Sequence, residues 1–385
     1  MLDELFTEAE RQLNICNSCR YCEGYCAVFP ALERRTLLDS GDVTQLANLC
    51  HDCRACFHAC MYAPPHEFAV DPPRILAAVR LASYDRFLPP VGWLRPGWSR
   101  GWPARVAAAV LAGAALLAVV AATEGLGALW RHGGPYQVIP YPALLVVVLL
   151  PAVSSVAVLL RGLALYWREV HGPLRGLADW RALGTALAAA VRLRNMRGGG
   201  EECYPPADDP SPAGPSPTGP SPARRRLHGA VAGGFTACFA ATVAAAFEQD
   251  VLGLRPPYPL LSVPVILGTA GGLSMVAGCA GLIALRRRTA PASPGPGPGP
   301  GPGPGPGSGV ADYGLLLGLG LLALTGLLTL LLRATPAFGL ILVIHLATIV
   351  VCFAIAPYTR FVHAGYRYLA LVADAIEQRR ARSVV

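Results

Sequence analysis

Lysine does not occur in the 385 residues, and six long apolar stretches contain no Asp, Glu or Arg. All 32 basic residues are therefore arginine, and the net charge is +8. Ion-coupled transporters normally carry charged side chains inside the membrane, so the uncharged stretches disfavour a transporter. The arginines lie in loops rather than in one patch on a soluble fold, which argues against nucleic-acid binding.

Nucleotide-binding signatures are also missing. The chain has neither a Rossmann glycine fingerprint nor a P-loop, and residues 198–200 are only a short glycine run. We therefore expect any flavin to be bound by another chain. Residues 1–12 are acidic and lack the apolar core of a signal peptide, so we expect no such peptide and a reducing compartment.

The six apolar stretches predict a membrane domain, because each is close to the roughly 20 residues that cross a bilayer as a helix. They cover residues 106–123, 141–160, 229–247, 259–285, 313–332 and 336–358. Six crossings put both termini on one side, and only Arg131, Arg255 and Arg333 fall on the other side or its edge. Arginine-rich loops stay in the cytoplasm, so we expect cytoplasmic termini in a bacterial inner membrane.

Eight of the twelve cysteines form two copies of the spacing C-x2-C-x2-C-x3-C. This spacing is typical of proteins that hold two 4Fe–4S clusters, in which each motif gives three thiolates to one cluster and its fourth to the other. We call the four ligands expected for one cluster the first set: Cys16, Cys19, Cys22 and Cys60. The second set contains the remaining four: Cys50, Cys53, Cys56 and Cys26.

Disulfides and structural zinc sites are the alternatives for these cysteines. A reducing cytosol disfavours disulfides, and four cysteines in this spacing are unusual for zinc. Ala27 and Met61 stand where bacterial ferredoxins usually have proline, and the flanking segments 2–13 and 42–49 have helical periodicity. We therefore predict an all-α chain: a cytoplasmic, helical ferredoxin-type head with two clusters, followed by a six-helix transmembrane bundle.

Three histidines lie in or beside the predicted spans. His345 is the only ionisable side chain well inside one, apart from cysteine and tyrosine, and a neutral imidazole at that depth suggests a haem ligand. His228 opens the third span and His363 follows the sixth, so both lie at the cytoplasmic edge. Equal depth makes His228 and His363 the best pair for a b-type haem, and Gly233 and Gly234 would let the macrocycle approach the helix.

The role of His345 stays open in the sequence. It lies 18 residues before His363, on the same face if the helix continued, but Pro357 intervenes and can kink that helix. His345 could pair with His228 or have no haem role. No histidine in another span matches its depth, so a second haem has little support.

These observations divide the chain into six parts. The cluster domain covers residues 1–100, and the first two spans cover 101–165. A cytoplasmic interfacial helix and a proline-rich linker follow in 166–227, where Trp167 and Trp180 suit the membrane surface. The last three parts are spans three and four in 228–288, a Pro-Gly linker in 289–312, and spans five and six with a basic tail in 313–385.

Four segments carry a family resemblance: NICNSCRYCEGYCAVFP, LANLCHDCRACFHACMYAPPHEFAVDPPR, RRRLHGAVAGGFTACFAAT and APYTRFVHAGYRYLAL. They resemble the tricarballylate-utilisation protein B family, also called CitB. The last span, IHLATIVVCFAIAPYTRFVH, is also similar to the haem-ligating helix of nitrate reductase gamma subunits. Those subunits have two histidines on the partner helix, whereas the third span here has only His228.

The resemblance implies a cytoplasmic FAD-dependent dehydrogenase that oxidises tricarballylate to cis-aconitate. Electrons from its flavin would pass through the two clusters and haem b to the membrane quinone pool. A related fused form implies a second partner, a flavoprotein of cobalamin ring synthesis. A different class of function is a membrane-anchored iron–sulfur redox sensor or scaffold, which predicts neither haem nor a response to quinone.

Overall fold

The computed structural model describes residues 2–88, 101–194, 222–288 and 313–383. Within these ranges the chain is all-helical and contains no strand, which confirms the predicted fold class. Cys203, residues 205–221 of the proline-rich linker and the Pro-Gly linker 289–312 lie outside the described residues.

The N-terminal head contains five helices whose ends position the cysteine motifs. They are α1 (Leu2–Cys19), α2 (Val28–Glu33), α3 (Ser40–Leu49), α4 (Ala55–His58) and α5 (Pro72–Phe87). A capping box starts α3, because the Asp39 carboxylate accepts from the Asp42 backbone N–H at 2.7 Å and the Asp42 carboxylate accepts from that of Asp39 at 3.2 Å. Cys50 takes an extended conformation directly after α3, so the second motif begins where this helix ends.

The remaining helices include six candidate membrane spans. In chain order they are α6 (Gly101–Thr123), α7 (Tyr141–Val170), α8 (Trp180–Val191), α9 (Pro222–Asp250), α10 (Val263–Arg288), α11 (Gly314–Leu331), α12 (Phe338–Ile355) and α13 (His363–Arg382). All except α8 and α13 are long and apolar enough to cross a bilayer. The six predicted spans are therefore confirmed, and α7 continues ten residues beyond the predicted span end at 160.

Two groups of helices form the bundle. Helix α12 packs against α6, α7 and α11, and α10 packs between α9 and α11. Glycines allow α9 and α10 to approach closely: a Cβ atom on Gly271 would lie 2.8 Å from the Gly234 carbonyl oxygen. Gly272, on the same helix as Gly271, faces Leu327 of α11. The glycines of the fourth span therefore serve helix packing, as expected of a membrane interface rich in small residues.

Helix α13 belongs to the head rather than forming a free basic tail. Ala370, Val372 and Ala373 are fully buried in the core that α1, α3 and α5 build. Tyr166 and Trp167, at the C-terminal end of α7, are buried in the same core. The expectation that Trp167 lies at the membrane surface is therefore wrong: its Nε1–H donates to the Pro173 carbonyl at 3.1 Å. The head, α13 and the C-terminal end of α7 therefore share one core.

Buried ion pairs hold α13 against the head. The Arg35 guanidinium, 8% exposed, donates to Asp42 at 2.6 Å, to Gln45 at 2.8 Å and to Glu377 of α13 at 2.9 Å. The neighbouring Arg34 pairs with Asp374, also on α13. Removing one partner of such a pair leaves a buried charge without compensation, so these contacts matter more than surface pairs.

We expect Arg35→Met to destabilise the head by about 3 kcal/mol, because it removes the pairs with Asp42 and Glu377 and leaves Glu377 only its longer contact with Arg34, at 3.4 Å. The melting temperature of the purified protein in detergent measures the effect. Arg11→Met is the matched control, since Arg11 pairs with Glu8 at the surface and its side chain is 43% exposed. Equal melting temperatures for the two variants would show that the pairs to α13 do not hold it.

Candidate functional site

The first cysteine set lines one small cavity in the head. All four cysteines of this set line the cavity. Cys16 and Cys19 belong to the end of α1, Cys22 to the turn that follows it, and Cys60 to the segment after α4. The remaining wall is apolar or aromatic and includes Phe29, Met61 and Val70. Cys60 thus lies with the three leading cysteines of the other motif, as the predicted exchange of ligands requires.

Electrostatic interactions group the cysteines in the same way. Burial, followed by the charges of Cys60, Cys22 and Cys19, raises the pKa of Cys16 to about 12. Burial also raises the pKa of Cys26 to about 12, but here the neighbouring thiolates are Cys50 and Cys53 of the other motif. Four thiolates that repel one another in a buried site need a compensating positive charge, which a metal cluster supplies.

The two cysteine loops both contain an arginine with a positive φ at the same position of the motif. Arg20 follows the second cysteine of the first motif with a φ of 55°, and Arg54 follows the second cysteine of the other motif with a φ of 62°. A left-handed arginine is unusual, because its Cβ crowds the backbone in this region. Its recurrence at equivalent positions indicates that both loops turn the same way to direct their thiols inward.

A site for one metal ion does not fit the described residues. No three His, Cys, Asp or Glu side chains within them converge closely enough to hold a single ion. A zinc ion would need four thiolates, each about 2.3 Å from the metal. The four cysteines of one set suit a polynuclear cluster better, because each thiolate of such a cluster binds a different iron atom.

His228 and His363 lie together, as the sequence predicts, where α9 and α13 begin. Their ring centres are 6.3 Å apart, with the ring planes inclined at 57°. If each ring nitrogen lies about 2.0 Å from a shared metal, as in zinc–histidine sites, the ring centres are about 6 Å apart. The two imidazoles therefore lie close enough together that both could bind one iron atom.

The hydrogen bonding of His363 fixes its tautomer. Its Nδ1 lies 2.5 Å from the Arg360 carbonyl oxygen, which can only accept, so Nδ1 carries the proton. Burial, followed by the charge of Arg367, lowers the pKa of His363 to about 4 and keeps the ring neutral. Nε2 is then unprotonated and has the lone pair that a metal ligand needs, with the carbonyl orienting the ring from behind.

His345 faces a different helix. Its Nδ1 lies 2.9 Å from the Thr325 hydroxyl oxygen of α11, and its ring packs over Gly326. Helix α12 ends at Ile355, and two short 3-10 turns around Pro357 separate it from α13. Ten residues of α12 separate His345 from Ile355, about 15 Å along the axis, so His345 does not share a metal with the His228–His363 pair.

The predicted approach of a macrocycle to Gly234 is not available. A Cβ atom there would lie 2.7 Å from the Gly271 carbonyl oxygen, so α10 occupies that side of α9. Gly233 faces open space instead, with no atom within 4 Å of a Cβ position. Of the two glycines, only Gly233 leaves room beside the helix.

Sequence reasoning missed two participants at this junction. It did not single out His51, whose ring is partly buried and close enough to His228 for the two to interact electrostatically. It did not single out Arg367, whose guanidinium donates to the backbone carbonyls of Asn48 and Cys50. One signal was available: Arg367 lies four residues after His363 on a helix, hence on the same face.

A helical head with two four-cysteine groups, fused to six candidate spans, defines a multi-pass membrane protein with a ferredoxin-like domain. The family model described as Citrate utilization protein B matches residues 106–384, and that for the Citrate utilization protein B Fer4-like domain matches residues 9–86. The chain therefore belongs to the citrate utilization protein B family, which confirms the resemblance seen in its motifs.

A curated relative agrees over the full length. The chain is 35% identical to the Citrate utilization protein B of Escherichia coli over 388 residues, covering 99% of this chain and 95% of the relative. No solved structure matches the chain. An electron-transfer role fits this membership, since a ferredoxin-like domain and membrane helices occur in one chain.

We expect cysteine variants to fall into two classes that cross the motifs. Cys60→Ser and Cys16→Ser should remove the same EPR signal, Cys26→Ser and Cys53→Ser should remove the other, and each should lower bound iron by about half. Cys238→Ser, in the membrane, is the control and should change neither. If Cys60→Ser instead removes the signal lost in Cys53→Ser, each motif serves its own cluster and the cross-motif sets are wrong.

Proposed function

We propose that this protein carries electrons from a cytoplasmic FAD-dependent dehydrogenase to membrane quinone, using two 4Fe–4S clusters and a b-type haem. The observation that carries the proposal is the His228–His363 pair beside the second cysteine set, at the junction of head and bundle. Arg367 links the two sites, since it lies one turn after His363 and donates to the Cys50 carbonyl. A histidine pair of this spacing next to a cluster site suits one-electron transfer into the membrane.

The donor sets assign the residues to the groups they would hold. The eight cysteine thiolates would hold two cubane clusters, and the imidazoles of His228 and His363 would hold the iron of one haem. Clusters and haem each accept and release single electrons, which lets a two-electron flavin connect to the quinone pool. The chain's own residues exclude water from the second set, orient His363 through the Arg360 carbonyl and fix the separation of the two imidazoles.

Exposure supports the direction of electron flow. Cys19 of the first set is exposed, and the neighbouring Tyr21 and Met61 are 59% and 63% exposed. Cys50 of the second set is only 7% exposed and lies on the side of the histidine pair. A partner dehydrogenase would therefore deliver electrons at the first set, and the second set would pass them on.

The remaining features of the proposal follow from charge and family. The bias of arginine toward the side of both termini supports a cytoplasmic head on a bacterial inner membrane. The curated relative is named for citrate utilisation, and the family resemblance points to tricarballylate or a related acid as the substrate of the partner. A flavoprotein of cobalamin synthesis is the alternative partner.

We expect His363→Ala and His228→Ala each to abolish a b-type α-band in dithionite-reduced minus oxidised spectra, because each removes one axial ligand. His345→Ala should retain it, and His132→Ala, in a loop far along the chain, is the control. Sulfide content should stay unchanged in all four variants, and His363→Ala and His228→Ala should lose only the single haem iron. An α-band that survives in His363→Ala but disappears in His345→Ala would refute the assigned pair.

We expect ubiquinone-1 to re-oxidise the haem. The protein in liposomes is reduced with dithionite, excess dithionite is removed, and ubiquinone-1 is then added in the absence of oxygen. The decay of the α-band measures the reaction, and reduced wild-type protein that receives solvent without ubiquinone-1 is the control. A preparation that contains clusters but has no α-band, and whose reduced clusters do not respond to ubiquinone-1, would favour the sensor or scaffold function instead.

A further inference from the structure

Two arginines from different helices converge on one backbone carbonyl in the second cysteine set. Arg80 of α5 donates to the Cys50 carbonyl oxygen at 2.5 Å and to that of Ala47 at 3.2 Å. Arg367 of α13 donates to the same Cys50 oxygen, and to that of Asn48 at 3.2 Å. Two guanidinium groups therefore meet at the end of α3, beside a cluster ligand.

The charges of these arginines are not balanced by the groups they bind. All four hydrogen bonds go to neutral carbonyls. Burial, followed by the like charge of Arg80, lowers the pKa of Arg367 to about 10. The groups that favour its charged form are Tyr84, the Cys50 thiolate and Asp52. Two adjacent cations in a buried place are costly unless an anion lies nearby.

Capping of α3 is the simpler role for this pair. The carbonyls of its last turn carry the negative end of the helix dipole, and basic side chains stabilise it there. One arginine would meet that need, and the second adds repulsion for little gain. The pair is better explained if a strong negative charge develops close to Cys50.

Arg367 also connects the two parts of the site. It lies one helical turn after His363, on the same face of α13, and its guanidinium reaches Cys50. The charges of Arg80 and Arg367 act on both His51 and His363, so the arginines face the space around the cluster site and the histidine pair.

We propose that Arg80 and Arg367 are positioning residues that set the reduction potential of the cluster held by the second cysteine set. This inference rests on the proposed function. No covalent bond changes in the step: the cluster gains one electron that originates in the partner's flavin and later gives it up toward the histidine pair. Reduction adds one negative charge, so fixed positive charge at Cys50 stabilises the reduced form and raises the potential.

The test is an EPR-monitored redox titration of the purified full-length protein. The signal of the second set is first identified as the one lost in Cys26→Ser. Arg367→Met should reduce the ratio of reduced to oxidised cluster at a fixed potential about tenfold, which is a fall of about 59 mV for a one-electron couple. Arg367→Lys keeps a positive charge and should shift the potential by less than half as much. The signal of the first set should not move.

Arg80→Met provides a second route to the same answer. It removes the other charge and should lower the same potential, which decides the matter if Arg367→Met fails to fold. Arg11→Met, in the middle of α1 and paired with Glu8 at the surface, is the matched control and should shift neither signal.

Several results would overturn the inference. One is an unchanged reduction potential in a folded Arg367→Met or Arg80→Met protein. Another is an equal shift of the potential in Arg367→Met and Arg367→Lys, and the third is an equal shift of the potentials of both clusters. A role in helix capping alone predicts a lower melting temperature with unchanged potentials. Wild-type protein without clusters would instead refute the proposed function itself, so the two failures are distinguishable.

Discussion

The burial of α13 in the head core is the constraint on which the rest of the arrangement depends. This helix begins at His363, at the end of the last span, and its apolar face completes the core built by α1, α3 and α5. Its ion pairs with Arg34 and Arg35 fix its rotation and height against the head. Because α3 lies against α13, the position of Cys50 relative to His363 is set by packing rather than by a flexible linker.

This packing makes the two ends of the head differ in their exposure to solvent. One end of the head exposes Cys19 between Tyr21 and Met61, whereas the other end buries Cys50 under two arginines and beside His51. The exposed end is accessible to another protein, and the buried end faces the bundle. A relay between a soluble partner and a membrane requires such an asymmetry, and a free-standing ferredoxin domain would not need it.

The sequence predicts those features that depend on local pattern. Cysteine spacing predicts the two sets, because the three leading thiols of each motif serve one cluster and its fourth thiol serves the other. Apolar length predicts the six spans. The burial of α13 and of Trp167 in the head core could not be predicted in the same way. A short amphipathic segment at a membrane edge can pack against lipid or against a protein core. Gly234 illustrates the same limit: a missing side chain indicates a close approach, but only the fold identifies α10 as the partner. The convergence of Arg80 and Arg367 depends on three helices distant in sequence, which no spacing encodes.

His345 shows how the structure changes the weight of a prediction. Its position inside a span favours a haem ligand because an ionisable group in hydrocarbon must find a partner. Thr325 provides that partner: its hydroxyl lies 2.8 Å from the Leu321 carbonyl and 2.9 Å from His345 Nδ1. When the hydroxyl donates to the carbonyl, its oxygen accepts from the ring, and the imidazole is satisfied at Nδ1 without a metal. The placement of His345 is then accounted for by helix packing alone. Haem binding is therefore expected at His228 and His363. Hydrogen bonding between these two rings does not explain their spacing, whereas the contact with Thr325 explains the position of His345.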